Sequence, residues 1–174
     1  MERNKDTVVY VLEATRAVGH STTETLTMYI EARPGTDVVR SCKAAARDYI
    51  LTDEGLAAYV GGGNSLTWDL FDRLIPDEFL ERHGIRKLGY DYSDFQLDMN
   101  EELVDPPVVY IENIKWAVDK KKLPELPISC SIPVSSLELE PSGKHACEDY
   151  KKKAVEWLGK RYGSEIKGCE AKII

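Results

Sequence analysis

The histidines are the first residues to examine for chemistry, because an imidazole can act as acid, base or metal ligand near neutral pH. None of the three stands in the H-E-x-x-H or H-x-x-x-H spacing that brings two imidazoles to one metal ion. His20 is followed by Ser21, Thr22, Thr23 and Glu24, so an imidazole, hydroxyls and a carboxylate lie close together in the chain. A polar hairpin tip is the more common origin of such a cluster. His20 and Glu24 are therefore kept as part of an alternative catalytic site.

The four cysteines show no metal or redox spacing. Cys42, Cys130, Cys147 and Cys169 include no C-x-x-C pair, which a zinc knuckle or a thioredoxin-type motif requires. His145 and Cys147 are two residues apart, and on a helix such residues point about 200° away from each other. We therefore predict four free thiols at small apolar positions, no metal site and no cofactor.

The run Gly61-Gly62-Gly63 invites comparison with a phosphate-binding loop. No lysine lies near it, and the dinucleotide pattern G-x-G-x-x-G fails because its third glycine position is Leu66. A turn between two helices is the simpler interpretation. Asn64 and Ser65, which follow the glycines, complete the alternative site with the His20 loop.

Acidic residues are concentrated in one segment, and this is the feature that bears most on function. The chain carries a net charge of −7, and the range from Leu88 to Glu112 alone accounts for −7, since it contains no lysine or arginine. The acids do not follow the calcium-loop pattern. Concentrated like charges repel one another unless a partner neutralises them.

The acidic segment predicts a binding or inhibitory protein. Aromatic residues stand among its carboxylates, and such a patch can dock on a basic cleft of another protein, for example a nucleic-acid-binding enzyme, by placing carboxylates where phosphates would lie. Small acidic inhibitors such as anti-CRISPR and toxin-immunity proteins share this size and charge, which is an analogy of composition and not of motif. The predicted docking residues are Tyr90, Asp91, Tyr92, Asp94, Phe95, Asp98, Glu101, Glu102 and Asp105.

The distribution of charge along the chain also bears on membrane and nucleic-acid partners and on the location of the protein. The longest stretch without charge, Gly55 to Trp68, is fourteen residues long and contains the triple glycine, so we expect no membrane span. The charged start of the chain does not match a secretory signal, and we expect a cytoplasmic protein. Direct nucleic-acid binding is expected only through the helix that carries Lys151-Lys152-Lys153.

Hydrophobic periodicity predicts the elements that position these residues. The first half of the chain predicts strands over Thr7 to Ala14 and Thr22 to Ala32, joined as an antiparallel hairpin, and a helix over Asp37 to Ile50 capped by Thr36. A short helix capped by Thr52 runs to Val60, a further helix is capped by Thr67 or Ser65, and one more covers Asp77 to His83.

The second half of the chain contributes mostly strands. Period-two alternation after Gly84 predicts two short strands joined by a turn, or one bulged strand; Val108 to Ile111 begins a strand that continues toward Val118, and Ile128 to Val134 fits an edge strand. A helix opening at Ser142-Gly143 and a strand from Glu165 to Ile174 close the chain. The order predicts one α+β domain over residues 1–174, with a mainly antiparallel sheet and helices on one face.

Overall fold

The computed structural model describes residues 6–18, 22–62, 65–88, 95–99, 102–119, 121, 123–140 and 143–174. In residues 15–18, 22–25, 69, 70, 72 and 95–99 it describes the backbone alone. Among these residues, no helix combines the length and the apolar character that a membrane crossing requires.

The chain divides into two compact units. Unit 1 contains residues 1–49 and 65–105, and unit 2 contains residues 50–64 and 106–174. Each unit therefore combines two separate stretches of the chain. Neither unit shows the regular alternation of single strands and helices that marks an α/β fold, and the elements form an α+β fold, as predicted. The strands form two sheets, whereas the sequence had indicated one.

Unit 1 is built on a four-stranded sheet in the order β3-β2-β1-β4. The first two strands, β1 (Val8–Val18) and β2 (Thr22–Ala32), pair antiparallel along their whole length, which confirms the predicted hairpin. Leu12 and Ile30 lie fully buried on one face, where the alternation of apolar residues had placed them. On the other face Thr27 is exposed, but Val9 is buried, so that face is only partly open to water.

The period-two segment forms two strands at opposite edges of this sheet. Strand β3 (Ile85–Leu88) pairs antiparallel with β2, and strand β4 (Phe95–Met99) pairs parallel with β1. The prediction of two strands is confirmed, but they are not neighbours, because β1 and β2 lie between them. The connection between them, residues 89–94, lies outside the described residues.

Helix α1 (Val38–Ile50) matches the predicted range within one residue. Its buried positions, Val38, Cys42, Ala45, Ala46 and Tyr49, recur at the spacing of one helix face. The predicted cap is wrong by one position: the backbone N–H of Arg40 donates to Asp37 Oδ1 at 3.0 Å. Asp37 rather than Thr36 caps the helix, because only a side chain at the residue before the first turn reaches that N–H.

Two short helices complete unit 1. Helix α3 (Trp68–Leu74) begins after Thr67, whose side chain makes no capping bond, and helix α4 (Asp77–Arg82) begins directly after Pro76. Gly84 follows α4 with a φ of +71°, a left-handed conformation that favours glycine, and so ends the helix as predicted.

Glu31 is a buried carboxylate within unit 1. It is 8% exposed and is the only charged residue among the described ones that is buried. Thr7 Oγ1 donates to Glu31 Oε1 at 2.9 Å, and Arg86 Nε donates to Oε2 at 2.8 Å, with a second hydrogen bond from Arg86 Nη2 to the same oxygen. Because Glu31 and Arg86 are direct neighbours in the pairing of β2 with β3, this ion pair joins the edge strand to the sheet.

Unit 2 is built on a three-stranded antiparallel sheet in the order β6-β5-β7. Its strands are β5 (Val108–Trp116), β6 (Cys130–Pro133) and β7 (Ile166–Ile173). Strand β6 is shorter than the predicted range but lies at an edge, where a proline is tolerated. Strand β5 carries a register shift beside Asn113, which adopts a φ of +55°, a conformation that asparagine tolerates better than most residues.

Helices α2 (Asp53–Gly61) and α5 (Ala146–Tyr162) supply the helical part of unit 2. Thr52 caps α2 as predicted, since its side chain accepts a hydrogen bond from the N–H of Gly55 at 3.0 Å. The core combines three described groups: the inner face of β5 with Val109, Ile111, Ile114 and Trp116, the inner face of α5 with Tyr150, Ala154 and Leu158, and Leu56 of α2. Ser142 lies outside the described residues, and α5 begins three residues after Gly143.

The ion pair of Glu31 predicts an asymmetry between two charge deletions. Arg86→Ala leaves a buried carboxylate without its cation and should lower the free energy of unfolding by about 2 kcal/mol. Lys151→Ala removes an exposed pair with Glu148 at 2.8 Å and should cost about 0.3 kcal/mol. Urea unfolding of both variants measures the difference. Equal losses would mean that the Glu31 pair contributes no more than a surface contact.

The sequence predicts a single domain, so the chain should unfold in one transition. Each unit is built from two separate stretches of the chain, and neither unit can be cut out as one continuous piece. Trp68 lies in unit 1, whereas Trp116 and Trp157 lie in unit 2. The Trp68→Phe variant keeps the two tryptophans of unit 2, and the Trp116→Phe/Trp157→Phe variant keeps the tryptophan of unit 1. In each variant the urea midpoint from fluorescence should therefore equal the midpoint from circular dichroism of that same variant. Two separated midpoints would contradict the single domain.

Candidate functional site

Most of the predicted docking residues lie outside the described part of the chain. This holds for Tyr90, Asp91, Tyr92, Asp94 and Glu101. Phe95 and Asp98 belong to β4, where the backbone alone is described, and Asp98 stands in register with Glu13 of β1. Glu102 and Asp105 are described completely, and both are exposed.

The alternative catalytic site is described even less. His20 and Asn64 lie outside the described residues, and the side chain of Glu24 is not described. Ser65 is half-buried before α3. Gly62, after the end of α2, has an ordinary φ of −82° and its N–H donates to the carbonyl oxygen of Ala58 at 2.9 Å. The first two glycines of the run therefore end the helix, as the turn interpretation expects.

Residues 102–105 form an anchored acidic turn in unit 1. Leu103 and Val104 are 1% and 6% exposed, and the N–H of Leu103 donates to the carbonyl oxygen of Leu66 at 3.3 Å. Glu102 and Asp105 flank this pair and point to solvent. Because two buried side chains fix the backbone between them, the two carboxylates are presented on a rigid support rather than on a loose loop.

Helix α1 carries a basic face in the same unit. Arg40, Lys43 and Arg47 are spaced three and four residues apart, so their side chains project from one side of the helix. Arg40 is exposed, and the other two are half-buried. This basic face was not predicted from the sequence. The spacing of its three residues, which alternate with the buried Val38, Cys42 and Ala45, indicates it.

The acidic turn and the basic face of α1 line one cleft. The cleft has a volume of about 390 Å³, and its charged lining consists of Arg40, Lys43, Arg47, Asp48, Glu102 and Asp105, with Ala44, Leu103 and Val104 between them. Three cations and three anions thus meet at one surface. The expectation that the acidic segment lacks neutralisation is wrong for its last part, because the fold places α1 beside residues 102–105.

One of the carboxylates at the cleft is already engaged. His83 Nε2 lies 2.7 Å from Asp48 Oδ2, which links the end of α4 to the exposed side of α1. A histidine at the end of a helix commonly interacts with the dipole of that helix. The structure gives it a specific acceptor on another element, so this imidazole has a structural role in unit 1.

A second concavity lies in unit 2 beside the bulge of β5. Its volume is about 500 Å³, and Tyr110, Glu112, Asn113 and Ile128 are among its lining residues. Ile128 is 78% exposed, whereas Glu112 accepts a hydrogen bond from Lys172 Nζ at 3.1 Å. Its lining also includes Lys115 and Ser129, and it lies beside the register shift at Asn113.

Cys147 stands at the start of α5, where a thiol could be activated by the helix dipole. Burial, together with the charge and a hydrogen bond of the nearby Asp53 carboxylate, instead raises the pKa of this thiol to about 11. The N–H of Cys147 donates to Asp53 Oδ1 at 2.8 Å, and the thiol lies 3.5 Å from the carbonyl oxygen of Leu51. Asp53 thus caps α5 and keeps Cys147 protonated.

The four cysteines are free, as predicted. Cys42 is fully buried in α1, and burial raises the pKa of its thiol to about 12. His145 is exposed at the start of α5. Within the described residues no group of three or more histidine, cysteine, aspartate or glutamate side chains could hold a metal ion.

Comparison of the chain with protein-family models, with curated proteins and with solved structures finds no match. The function of the cleft therefore has to be argued from its own residues.

The contact between Asp53 and Cys147 makes a prediction about thiol reactivity. Asp53→Asn keeps an oxygen that can accept the N–H of Cys147 but removes the negative charge that raises the thiol pKa. Alkylation of Cys147 by iodoacetamide at pH 8 should accelerate about threefold, because more thiolate is present. Peptide mass spectrometry reads the rate, with Cys169 as the internal reference. An unchanged ratio of the two rates would show that Asp53 does not control the thiol.

Proposed function

We propose that the protein is a binding protein that docks on a basic surface of a partner protein through the acidic segment of unit 1. The observation that carries this proposal is the anchored acidic turn. Glu102 and Asp105 are exposed, while Leu103 and Val104 between them are buried. A fixed backbone reduces the entropy lost on association, so carboxylates held in this way suit docking better than carboxylates on a mobile loop.

The charges around the turn indicate how a partner would be recognised. Arg40, Lys43 and Arg47 stand at the same cleft, and in isolation they balance the nearby carboxylates. A partner that carried only positive charge would meet attraction at the turn and repulsion at α1. The partner surface is therefore expected to be basic where it meets the turn and to avoid the exposed Arg40.

The rest of the docking surface remains as the sequence predicts it. The residues that precede the turn in the chain stay part of the predicted surface, namely Tyr90, Asp91, Tyr92, Asp94, Phe95, Asp98 and Glu101. A nucleic-acid-binding enzyme is the kind of partner that suits such a surface, because its cleft is shaped for a row of negative charges. Inhibition by occupation of that cleft is the corresponding activity.

The alternative is a small enzyme that uses the His20–Glu24 loop and the Gly61–Ser65 loop. It predicts turnover of a small molecule and no dependence on the acidic turn. The two proposals are separated by the same variants, since reversal of charge at residues 102 and 105 would leave a reaction at the loops unchanged.

Charge reversal at the turn is the direct test. Glu102→Lys/Asp105→Lys should remove a partner that the unmodified chain captures from a lysate of the source cells. The control Glu138→Lys/Glu140→Lys changes two exposed acids of unit 2 by the same total charge and should retain it. Captured proteins are quantified by mass spectrometry at low and at physiological salt.

Kinetics with the captured partner complete this test. The turn variant should associate about tenfold more slowly and depend less on salt, because exposed charges act on the encounter rate. Reversal of Asp91, Asp94 and Asp98 should slow association further if these residues extend the surface. If the turn variant and the control captured the same proteins and associated at the same rate, the acidic turn would be an ordinary solvent-exposed surface with no role in docking.

A further inference from the structure

Strand β7 is an edge strand with an unusual amount of open surface. Among the described residues it pairs with β5 on one side and has no neighbouring strand on the other. None of its eight residues is buried, whereas β5 buries four of nine. Cys169, Ala171 and Ile173 contact the core of unit 2 but remain half-exposed. Such an edge offers hydrogen-bonding groups to another strand.

The hydrogen bonds to β5 show which backbone groups point outward. The N–H and carbonyl groups of Val108 and Ile174 bond to each other at 3.0 Å in both directions. In an antiparallel pair such residues alternate, so Lys172 and Glu170 also direct their backbone groups toward β5. The groups of Cys169, Ala171 and Ile173 therefore point away from β5, toward the open side.

The side chains of the same strand carry opposite charges two residues apart. Glu170 and Lys172 are both exposed on the face of the sheet that carries Tyr110 and Glu112. Lys172 Nζ lies 3.1 Å from Glu112 Oε1 and 5.1 Å from the centre of the Tyr110 ring. Glu170 is directly opposite Glu112 in the register, and within the described residues no ion pair reaches it.

An antiparallel copy of the same strand complements this pattern in one register. A two-fold axis at Ala171 places Glu170 opposite Lys172 of the second copy, and Lys172 opposite Glu170. The outward backbone groups then meet as well, with Cys169 opposite Ile173 and Ala171 opposite itself. An axis at Glu170 or at Lys172 brings like charges together, and an axis at Cys169 leaves both charges opposite uncharged residues.

We propose that β7 pairs antiparallel with β7 of a second copy of this chain, about a two-fold axis at Ala171, so that the two three-stranded sheets continue as one. Backbone hydrogen bonds supply the attachment, and the reciprocal pairs between Glu170 and Lys172 select the register. The Glu170 carboxylate thereby gains a cation that no described residue of its own chain provides. This pairing involves unit 2 alone and does not depend on the proposed function of the acidic turn.

The sharpest experiment mixes two single charge reversals. The unmodified chain should sediment as a dimer at about 50 µM. Glu170→Lys brings lysines face to face, Lys172→Glu brings glutamates face to face, and each variant alone should dimerise at least tenfold more weakly. An equimolar mixture should dimerise again, because every cross-strand pair is then opposite in charge. A variant that had merely lost its fold could not be rescued in this way.

Matched controls come from another ion pair of unit 2. Glu148→Lys and Lys151→Glu reverse charges in an exposed pair on α5 and should leave the dimer unchanged. A monomeric unmodified chain at that concentration would overturn the proposal. So would a dimer that is insensitive to both reversals in β7, or two variants that remain monomeric when mixed.

A disulfide reports the register independently. In the proposed dimer, Ile173→Cys lies opposite Cys169 of the second copy at a Cα separation of about 5.5 Å, within the range that a disulfide bridges. Mild oxidation should link these two residues between chains, and Cys169→Ser should abolish the link. A Cys169-to-Cys169 link in the unmodified chain would instead indicate an axis at Cys169 and would overturn the register.

Discussion

The burial of Glu31 is the constraint on which the sheet of unit 1 depends. A carboxylate inside a protein is tolerated only with a cation and hydrogen-bond donors, and this one receives both from Arg86 and Thr7. Arg86 belongs to the edge strand β3, so the pair determines the register of β3 against β2. A one-residue slip would separate Arg86 from Glu31 and take this cation away from the buried carboxylate. The alternation of hydrophobic residues alone would specify the register of β3 only weakly, because β3 has only four residues.

The same principle of local compensation applies to charges elsewhere in the chain. His83 meets Asp48 in unit 1, Lys172 meets Glu112 in unit 2, and Asp53 accepts the N–H of Cys147 in the first turn of α5. The net charge of −7 is thus distributed over a fold in which many acids already have a partner. What distinguishes the acidic turn is exposure on a fixed backbone, and what distinguishes Glu170 is a position opposite another carboxylate. Both surfaces therefore offer carboxylates that a positively charged group of a second molecule could contact.

Features that depend on local sequence patterns could be predicted from the sequence. The hairpin of β1 and β2, the buried stripe of α1 and the Thr52 cap follow from local patterns. The bounds of β2 and α1 were predicted to within one residue, whereas β1 runs four residues beyond its predicted end at Ala14. The cap of α1 was misplaced because Thr36 and Asp37 are both good capping residues, and only backbone geometry decides between them. The separation of β3 from β4 was not readable, since strand partners are set by contacts between distant parts of the chain.

The candidate site was missed for a related reason. The segment from Leu88 to Glu112 contains no lysine or arginine, so its charge taken along the sequence is purely negative. Coulomb energy depends on distance in space, and the fold brings Arg40, Lys43 and Arg47 of α1 to the cleft that Glu102 and Asp105 also line. A basic partner that extended its contact toward α1 would meet these three cations. Asp98 lies instead in the edge strand β4, in register with Glu13 of β1. A docking surface that begins at the acidic turn would therefore gain most by extending along β4 and not toward α1.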